Sequence, residues 1–187
     1  MGAIKSARFD GWLRTISLSP EDGILRELVA PNRGFGNQVM FMMYLAVVGM
    51  RLPTDKYEDE SEEDRLNRSM MQCEFMNLDK NQLGDAGVEN FFGFLMRHRI
   101  SVRCIRLESN NITDESVNII CDYIRECEPP VLDLFLSQNQ MTGAGLREIL
   151  NCVVATNKYP QPTSDVDCPR SFFLFATKNR PKSAVAL

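Results

Sequence analysis

The chain has 187 residues, of which 44% are hydrophobic and 25% are charged, and its net charge at neutral pH is −4. This composition is typical of one folded domain, or of one domain with an appendage, and it supplies enough apolar residues for a core. The chain lacks the clusters of lysine and arginine that bind a phosphate backbone, so nucleic acid is disfavoured as a direct ligand.

Residues 1–57 form an N-terminal segment with a net charge of +2 and no convincing internal repeat. Within it, the stretch SPED at residues 19–22 has the features of a helix start, which predicts a helix over GILRELV, residues 23–29. We expect this segment to act as a cap that covers an open apolar end of the rest of the fold.

The same segment bears on the compartment of the protein. It has no charged-then-apolar signal peptide, and the longest apolar run, residues 39–50, is too short to span a membrane. A cytoplasmic or nuclear location without stable membrane insertion is therefore expected. The opening MGAIKS fits the acceptor pattern for N-myristoylation at Gly2, and a single acyl chain there would give only weak membrane association.

The six cysteines are predicted to be free, reduced thiols. No CxxC pair occurs among them, and the single histidine, His98, has no second ligand at metal-binding spacing. The sequence therefore predicts neither a metal site nor a cofactor.

Residues 58–72 are predicted to be an acidic linker or helix, because the run at 58–64 carries six carboxylates. After it, one pattern recurs three times over residues 73–155. Aligned on Asn81, Asn110 and Asn139, which lie 29 residues apart, each copy reads apolar-x-x-apolar-x-Leu-x-x-Asn-x-apolar.

Each copy predicts a strand, a turn and a helix. The apolar-x-Leu alternation before the asparagine is typical of a short strand, and the apolar spacings of three, four and seven after it mark one face of a helix. Asp85 and Asp114 are predicted to cap the helices in two copies, and Gly87 and Gly145 lie at the turn into the helix. A single strand–helix unit cannot bury its apolar face alone, so the copies are expected to stack and share one core.

This motif resembles the leucine-rich repeat, in the class with 28–29-residue repeats that is seen in ribonuclease inhibitor. The resemblance covers about residues 73–155 and implies an α/β fold: a short right-handed solenoid with parallel strands on the concave side and helices on the convex side. It also implies that Asn81, Asn110 and Asn139 are structural, with side-chain amides that bond the backbone of neighbouring turns as a ladder.

Residues 156–187 are predicted to be a loop followed by a degenerate terminal repeat strand. The loop is rich in proline, and in the segment SFFLFATKNRP the apolar Leu174 and Ala176 precede Asn179 by five and three residues. Asn179 follows Asn139 by 40 residues instead of 29.

The resemblance places the non-core side chains of the strands on the concave face, where repeat proteins of this kind bind protein partners. Aromatic and arginine side chains on such a face resemble the anchors of protein interfaces, and Phe75 and Phe135 are the sharpest of them. The alternative is that the N-terminal segment or the long loop folds over these rings. The predicted partner-binding residues are Phe75, Asn77, Asp79, Arg106, Glu108, Asp133, Phe135 and Ser137.

Two features of this face could indicate catalysis. Asp79 and Glu108 would lie on adjacent strands, but neither a nucleophile with an adjacent base nor a histidine accompanies them. Cys104 lies near Arg106, which could lower the pKa of its thiol, but on an open strand we do not expect a reactive cysteine. No catalytic residue is therefore predicted.

The sequence thus predicts a non-enzymatic scaffold that binds a protein through the concave face. Two alternatives stay open at this point. The family that the repeats resemble includes activators of the Ran GTPase, so the chain could regulate a GTPase. It could also be a fragment of a longer repeat protein. The identity of the partner and the oligomeric state are not determined by the sequence.

Overall fold

The described part of the chain has a fold of the α/β class, built on one six-stranded sheet whose strands follow the order of the chain. A computed structural model describes residues 16–18, 25–38, 61, 70–161 and 170–179. The strands are β1 (Ile16–Leu18), β2 (Leu25–Val29), β3 (Met71–Asn77), β4 (Ile100–Arg106), β5 (Asp133–Phe135) and β6 (Phe173–Phe175). The helices are α1 (Asp85–Arg97), α2 (Val117–Glu126) and α3 (Gly143–Ala155), with short 3-10 turns at Gly36–Gln38 and Asp114–Ser116.

Strands β2 to β6 are parallel, and β1 pairs antiparallel with β2 at the first edge of the sheet. The parallel strands are in register at the position five residues before each asparagine, or before Arg33 in the case of β2. The apolar side chains at this position, one on each strand, are Leu28, Met76, Ile105, Leu134 and Leu174.

The core lies between the sheet and the three helices. The predicted inward leucines Leu78, Leu107 and Leu136 are at most 1% exposed. On the helical side, α1 packs against α2 and α2 against α3, with Val88 and Val117 buried at equivalent positions. Apolar residues at strand and helix spacings therefore meet in one continuous cluster.

The turn that follows each parallel strand has the same backbone conformation. The residue just before the aligned asparagine has a φ of 58° at Lys80, 56° at Ser109, 59° at Gln138 and 57° at Lys178. Asn32, just before Arg33, has a φ of 55°. The left-handed region is uncommon for residues other than glycine, so its recurrence marks five equivalent strand–turn units.

The helix predicted over residues 23–29 is wrong, because Leu25–Val29 is strand β2. The leucines of this segment are three residues apart, a spacing that fits one helical face and equally the first two apolar positions of the strand pattern. Pairing decides between the two, since Leu28 is in register with Met76 of β3. Residues 1–57 therefore contain a strand and turn like those of the later copies, with Arg33 where those copies have asparagine.

One boundary also differs from the predicted segments. Strand β3 begins at Met71, so the last two residues of the predicted acidic linker belong to the sheet. In the C-terminal segment, Leu174 of β6 pairs with Leu134, as the degenerate strand predicts. Gly2, Cys168 and most of the predicted linker lie outside the described residues.

Candidate functional site: the exposed face of the parallel strands

The side of the sheet opposite the helices carries side chains in three rows that run across the strands, and we call these rows the strand face. The first row holds Glu27, Phe75, Cys104, Asp133 and Phe173, and the second holds Val29, Asn77, Arg106, Phe135 and Phe175. The third row, just beyond the strand ends, holds Asp79, Glu108, Ser137 and Thr177.

Side chains of the third row make hydrogen bonds within the fold. Asp79 is 8% exposed: its Oδ2 accepts a hydrogen bond from Nε of Arg106 at 3.0 Å, and its Oδ1 accepts one from the backbone N–H of Glu108 at 2.7 Å. Ser137 is 5% exposed, and its hydroxyl accepts the backbone N–H of Thr177 at 3.1 Å. The exposure expected for Asp79 and Ser137 is therefore wrong, because each side chain turns back to the neighbouring strand.

Arg106 is the centre of an ionic group on this face. Its guanidinium bonds the carboxylates of both Asp79 and Glu108. Burial raises the pKa of the Asp79 carboxyl above its ordinary value, and the hydrogen bond from Glu108 N–H and the charge of Arg106 partly offset that rise. Asp79 and Glu108, the carboxylate pair that could have indicated acid–base catalysis, are thus both bonded to Arg106. This arrangement is typical of a structural contact.

The second row continues from Arg106 into stacked aromatic rings. The guanidinium carbon of Arg106 lies 4.9 Å from the ring centroid of Phe135. The other neighbour of that ring is Phe175, with centroids 4.2 Å apart and planes 3° apart. Phe173 of the first row lies 6.4 Å from Phe175. The row is therefore a continuous stack of a cation and two rings, with a third ring beside it.

Among the aromatic rings of the face, those on β6 are the most exposed. Phe75 and Phe135 are half-buried, whereas Phe173 is 54% and Phe175 is 42% exposed. In the sequence these two rings belong to the degenerate terminal repeat strand, outside the predicted partner-binding residues. The pairing of β6 with β5 across a 40-residue separation brings them beside Phe135 and makes them the most accessible aromatic surface of the strand face.

Cys104 does not have the lowered thiol pKa that its proximity to Arg106 could have produced. Burial and the nearby carboxylate of Asp133 raise the pKa of this thiol to about 11, and Arg106 offsets only part of the rise. The other cysteines in the described part of the chain are also free thiols and are buried. Within the same residues, no group of histidine, cysteine and carboxylate side chains could hold a metal ion.

The asparagines lie at the end of the sheet where the chain leaves each strand, and they bond the units to one another. Oδ1 of Asn110 accepts from the backbone N–H groups of Asn81 at 2.9 Å and Leu83 at 3.0 Å, both in the preceding unit. Its Nδ2 donates to the carbonyls of Leu78 at 3.1 Å and Leu107 at 3.0 Å. A buried side chain thus satisfies backbone groups of two units at once.

The same bonds recur along the stack and extend beyond the three asparagines identified from the sequence. Asn139 repeats them with the backbone of the Asn110 unit, and Asn179 repeats them with Asn139 and Met141 at 3.1 and 3.3 Å. At the other end, Oδ1 of Asn81 accepts the backbone N–H of Arg33 at 2.8 Å. Asn179 is therefore a fourth member of this series.

The predicted helix caps Asp85 and Asp114 act in another way. The residue that precedes α1 is Gly84, and the capping side chains of the next two units are Thr113 and Thr142. The carboxylate of Asp85 reaches across to accept the N–H and hydroxyl of Thr113 at 2.9 and 2.8 Å. Asp114 does the same with Thr142. These carboxylates therefore link units instead of capping their own helices.

A groove of about 450 Å³ lies between α1 and α2, on the helical side. Carboxylates from both helices line it, among them Glu89, Glu115 and Asp122. Asp85 also lines it, and that side chain is already bonded to Thr113 and Ser116. The groove is open and acidic, and it holds none of the exposed aromatic groups of the strand face.

In the described part of the chain, no helix is both long enough and apolar enough to cross a membrane. The chain matches no protein-family model, and no curated protein is similar to it.

Proposed function

We propose that the chain is a leucine-rich-repeat protein of the ribonuclease-inhibitor-like class, in which strand–turn–helix units stack as a short solenoid. The 29-residue spacing of Asn81, Asn110 and Asn139 supports this, together with the burial of the apolar positions of the motif. The left-handed turn in five successive units is a further, independent support.

The function that we propose for this array is non-enzymatic binding of a protein partner through the strand face, in the cytoplasm or nucleus. The observation that carries the proposal is the aromatic surface of Phe173 and Phe175, which are 54% and 42% exposed. Large rings on the solvent side of a strand do not contribute to the core, and such rings act as anchors in protein interfaces. The stack on Phe135 holds one of them in a fixed orientation, which lowers the entropy cost of binding.

A position-specific crosslinking experiment tests this function. A photoreactive phenylalanine analogue is introduced at Phe173 in one variant and at Val154 in a control variant, and each is irradiated in an extract of the source cells. Val154 is 76% exposed on α3, so the control presents the probe equally well from the helical side. Protein adducts should form from position 173 and be absent, or much weaker, at position 154.

Binding to the purified adduct partner then gives the magnitude. Phe175→Ala is expected to weaken the affinity by about 10- to 100-fold, as truncation of an aromatic anchor does, whereas Val154→Ala should leave it unchanged. Equal adducts from both positions, or an affinity that Phe175→Ala does not alter, would show that the strand face is not the binding surface.

A further inference from the structure

Among the described residues, the strand face has a negative charge without a paired cation beside its exposed rings. Asp133 lies on β5 in direct register with Phe173 of β6, one strand spacing of about 4.8 Å away. It is also two residues from Phe135, on the same side of the strand. Its carboxylate makes no ion pair or side-chain hydrogen bond with any of the described residues. We call Asp133, Phe173 and Phe175 the aromatic corner.

One cation already binds on this face, and it shows which chemistry the face accommodates. The guanidinium of Arg106 bonds two carboxylates, Asp79 and Glu108, and lies over the ring of Phe135. Each contact suits a planar, weakly hydrated cation, which can bond carboxylates through its edge and stack on an aromatic ring through its face. The aromatic corner offers the same two kinds of group, a carboxylate and exposed rings, in the adjacent part of the face.

We propose that the aromatic corner binds an arginine side chain of the protein partner, with the guanidinium paired to Asp133 and packed on the rings of Phe173 and Phe175. This proposal rests on the proposed function of the strand face. It specifies the partner as a segment that carries an accessible arginine.

Charge and solvation favour arginine over other anchors. A purely apolar anchor would cover the rings but would also remove water from the carboxylate of Asp133 without replacing its hydrogen bonds. An acidic segment would be repelled by the same carboxylate. A lysine could pair with it, but its compact and strongly hydrated ammonium lacks the flat face that stacks on the rings.

The test begins with selection of random peptides, about 12 residues long, from a display library on the purified wild-type chain. Selected peptides are synthesised in two forms, one with arginine and one with citrulline, which keeps the shape and removes the charge. Their affinities are measured for the wild type and for Asp133→Asn. Glu148→Gln, which removes one negative charge from α3 on the helical side, is the matched control.

The proposal predicts that selected peptides share an arginine and that citrulline weakens their binding to the wild type by about 10-fold or more, the effect of losing a charge-assisted pair. The same replacement should have little effect on binding to Asp133→Asn, and Glu148→Gln should behave as the wild type does. Because the Asp133 side chain makes no ion pair or side-chain hydrogen bond with the described residues, this variant is expected to keep the circular dichroism spectrum of the wild type.

Each contrary outcome has a definite meaning. Peptides that lose affinity with Phe175→Ala but bind equally with arginine, lysine or citrulline would overturn the arginine site and leave the scaffold function standing. Peptides whose binding is insensitive to Phe175→Ala, or a library that yields no binder, would count against both proposals.

Discussion

Replacing Asn110 by alanine is expected to destabilise the fold strongly, although this polar side chain is not part of the hydrophobic core. Asn110 is 6% exposed, and its Oδ1 accepts hydrogen bonds from the backbone N–H groups of Asn81 and Leu83. The alanine variant leaves both donors buried without an acceptor. Each such donor costs about 1–3 kcal/mol, so the free energy of unfolding should fall by about 2–6 kcal/mol.

That loss is a large fraction of the roughly 5–15 kcal/mol by which a domain is stable, so urea unfolding followed by far-ultraviolet circular dichroism can resolve it. Asn111→Ala is the control, because this neighbour is exposed and, among the described residues, its side chain accepts a bond only from the side chain of Gln140. Its substitution should change the free energy by less than about 0.5 kcal/mol.

A graded comparison sharpens the test. Asn179 makes the same pattern of bonds in the last strand and turn that the structure describes, where it is only half-buried and water can replace the lost acceptor. Asn179→Ala is therefore expected to cost less than Asn110→Ala. If Asn110→Ala lost no more stability than Asn111→Ala, the conclusion that the asparagine side chains bond neighbouring units together would be refuted.

The remaining predictions concern a close contact, an open site in a helix, a buried carboxyl and a partly buried thiol. A Cβ at Gly145 would clash with the carboxylate of Asp114, so Gly145→Ala should lower the free energy of unfolding by about 1–3 kcal/mol, and a second change, Asp114→Ala, should relieve the clash. Gly93 in α1 faces open space, so Gly93→Ala should instead raise stability by about 0.5–1 kcal/mol in the same urea measurement; a loss there would contradict the geometry. Burial raises the pKa of Asp79 above 3.8, so the native state holds this proton more tightly than the unfolded chain, and stability should fall as pH rises from that value through the raised pKa. Asp79→Asn should flatten this part of a urea series run from about pH 3 to about pH 7, and parallel wild-type and variant curves would refute the pKa direction. Burial raises the pKa of Cys104 to about 11, so its alkylation at about pH 8 should be at least roughly 10-fold slower in the native chain than in urea, as mass spectrometry of the modified peptide can show.

The sequence alone predicted the parts of the fold that depend on spacings between residues close together in the chain. The alternation before each asparagine and the helical spacing after it located β3 to β5 and α1 to α3, because both periodicities recur 29 residues apart. Contacts between side chains on different strands could not be read in this way. The burial of Asp79 depends on the direction in which Arg106 extends from the next strand, and the stacking of Phe135 on Phe175 depends on pairing across a long loop.

Arg33 shows why the sequence pattern misses the first unit. In each later unit, the asparagine Oδ1 accepts N–H groups from the turn of the unit before it. Among the described residues, the strand beside β2 on this side is the antiparallel β1, so it brings no parallel unit with such a turn to Arg33. The backbone N–H of Arg33 still donates to Oδ1 of Asn81, and any residue other than proline supplies this N–H. The side chain at position 33 therefore does not have to be an amide. The apolar positions are still required, because they join the shared core. Leu28, Ala30 and Phe35 accordingly keep the spacing of the motif around Arg33, and Leu28 and Ala30 are at most 2% exposed.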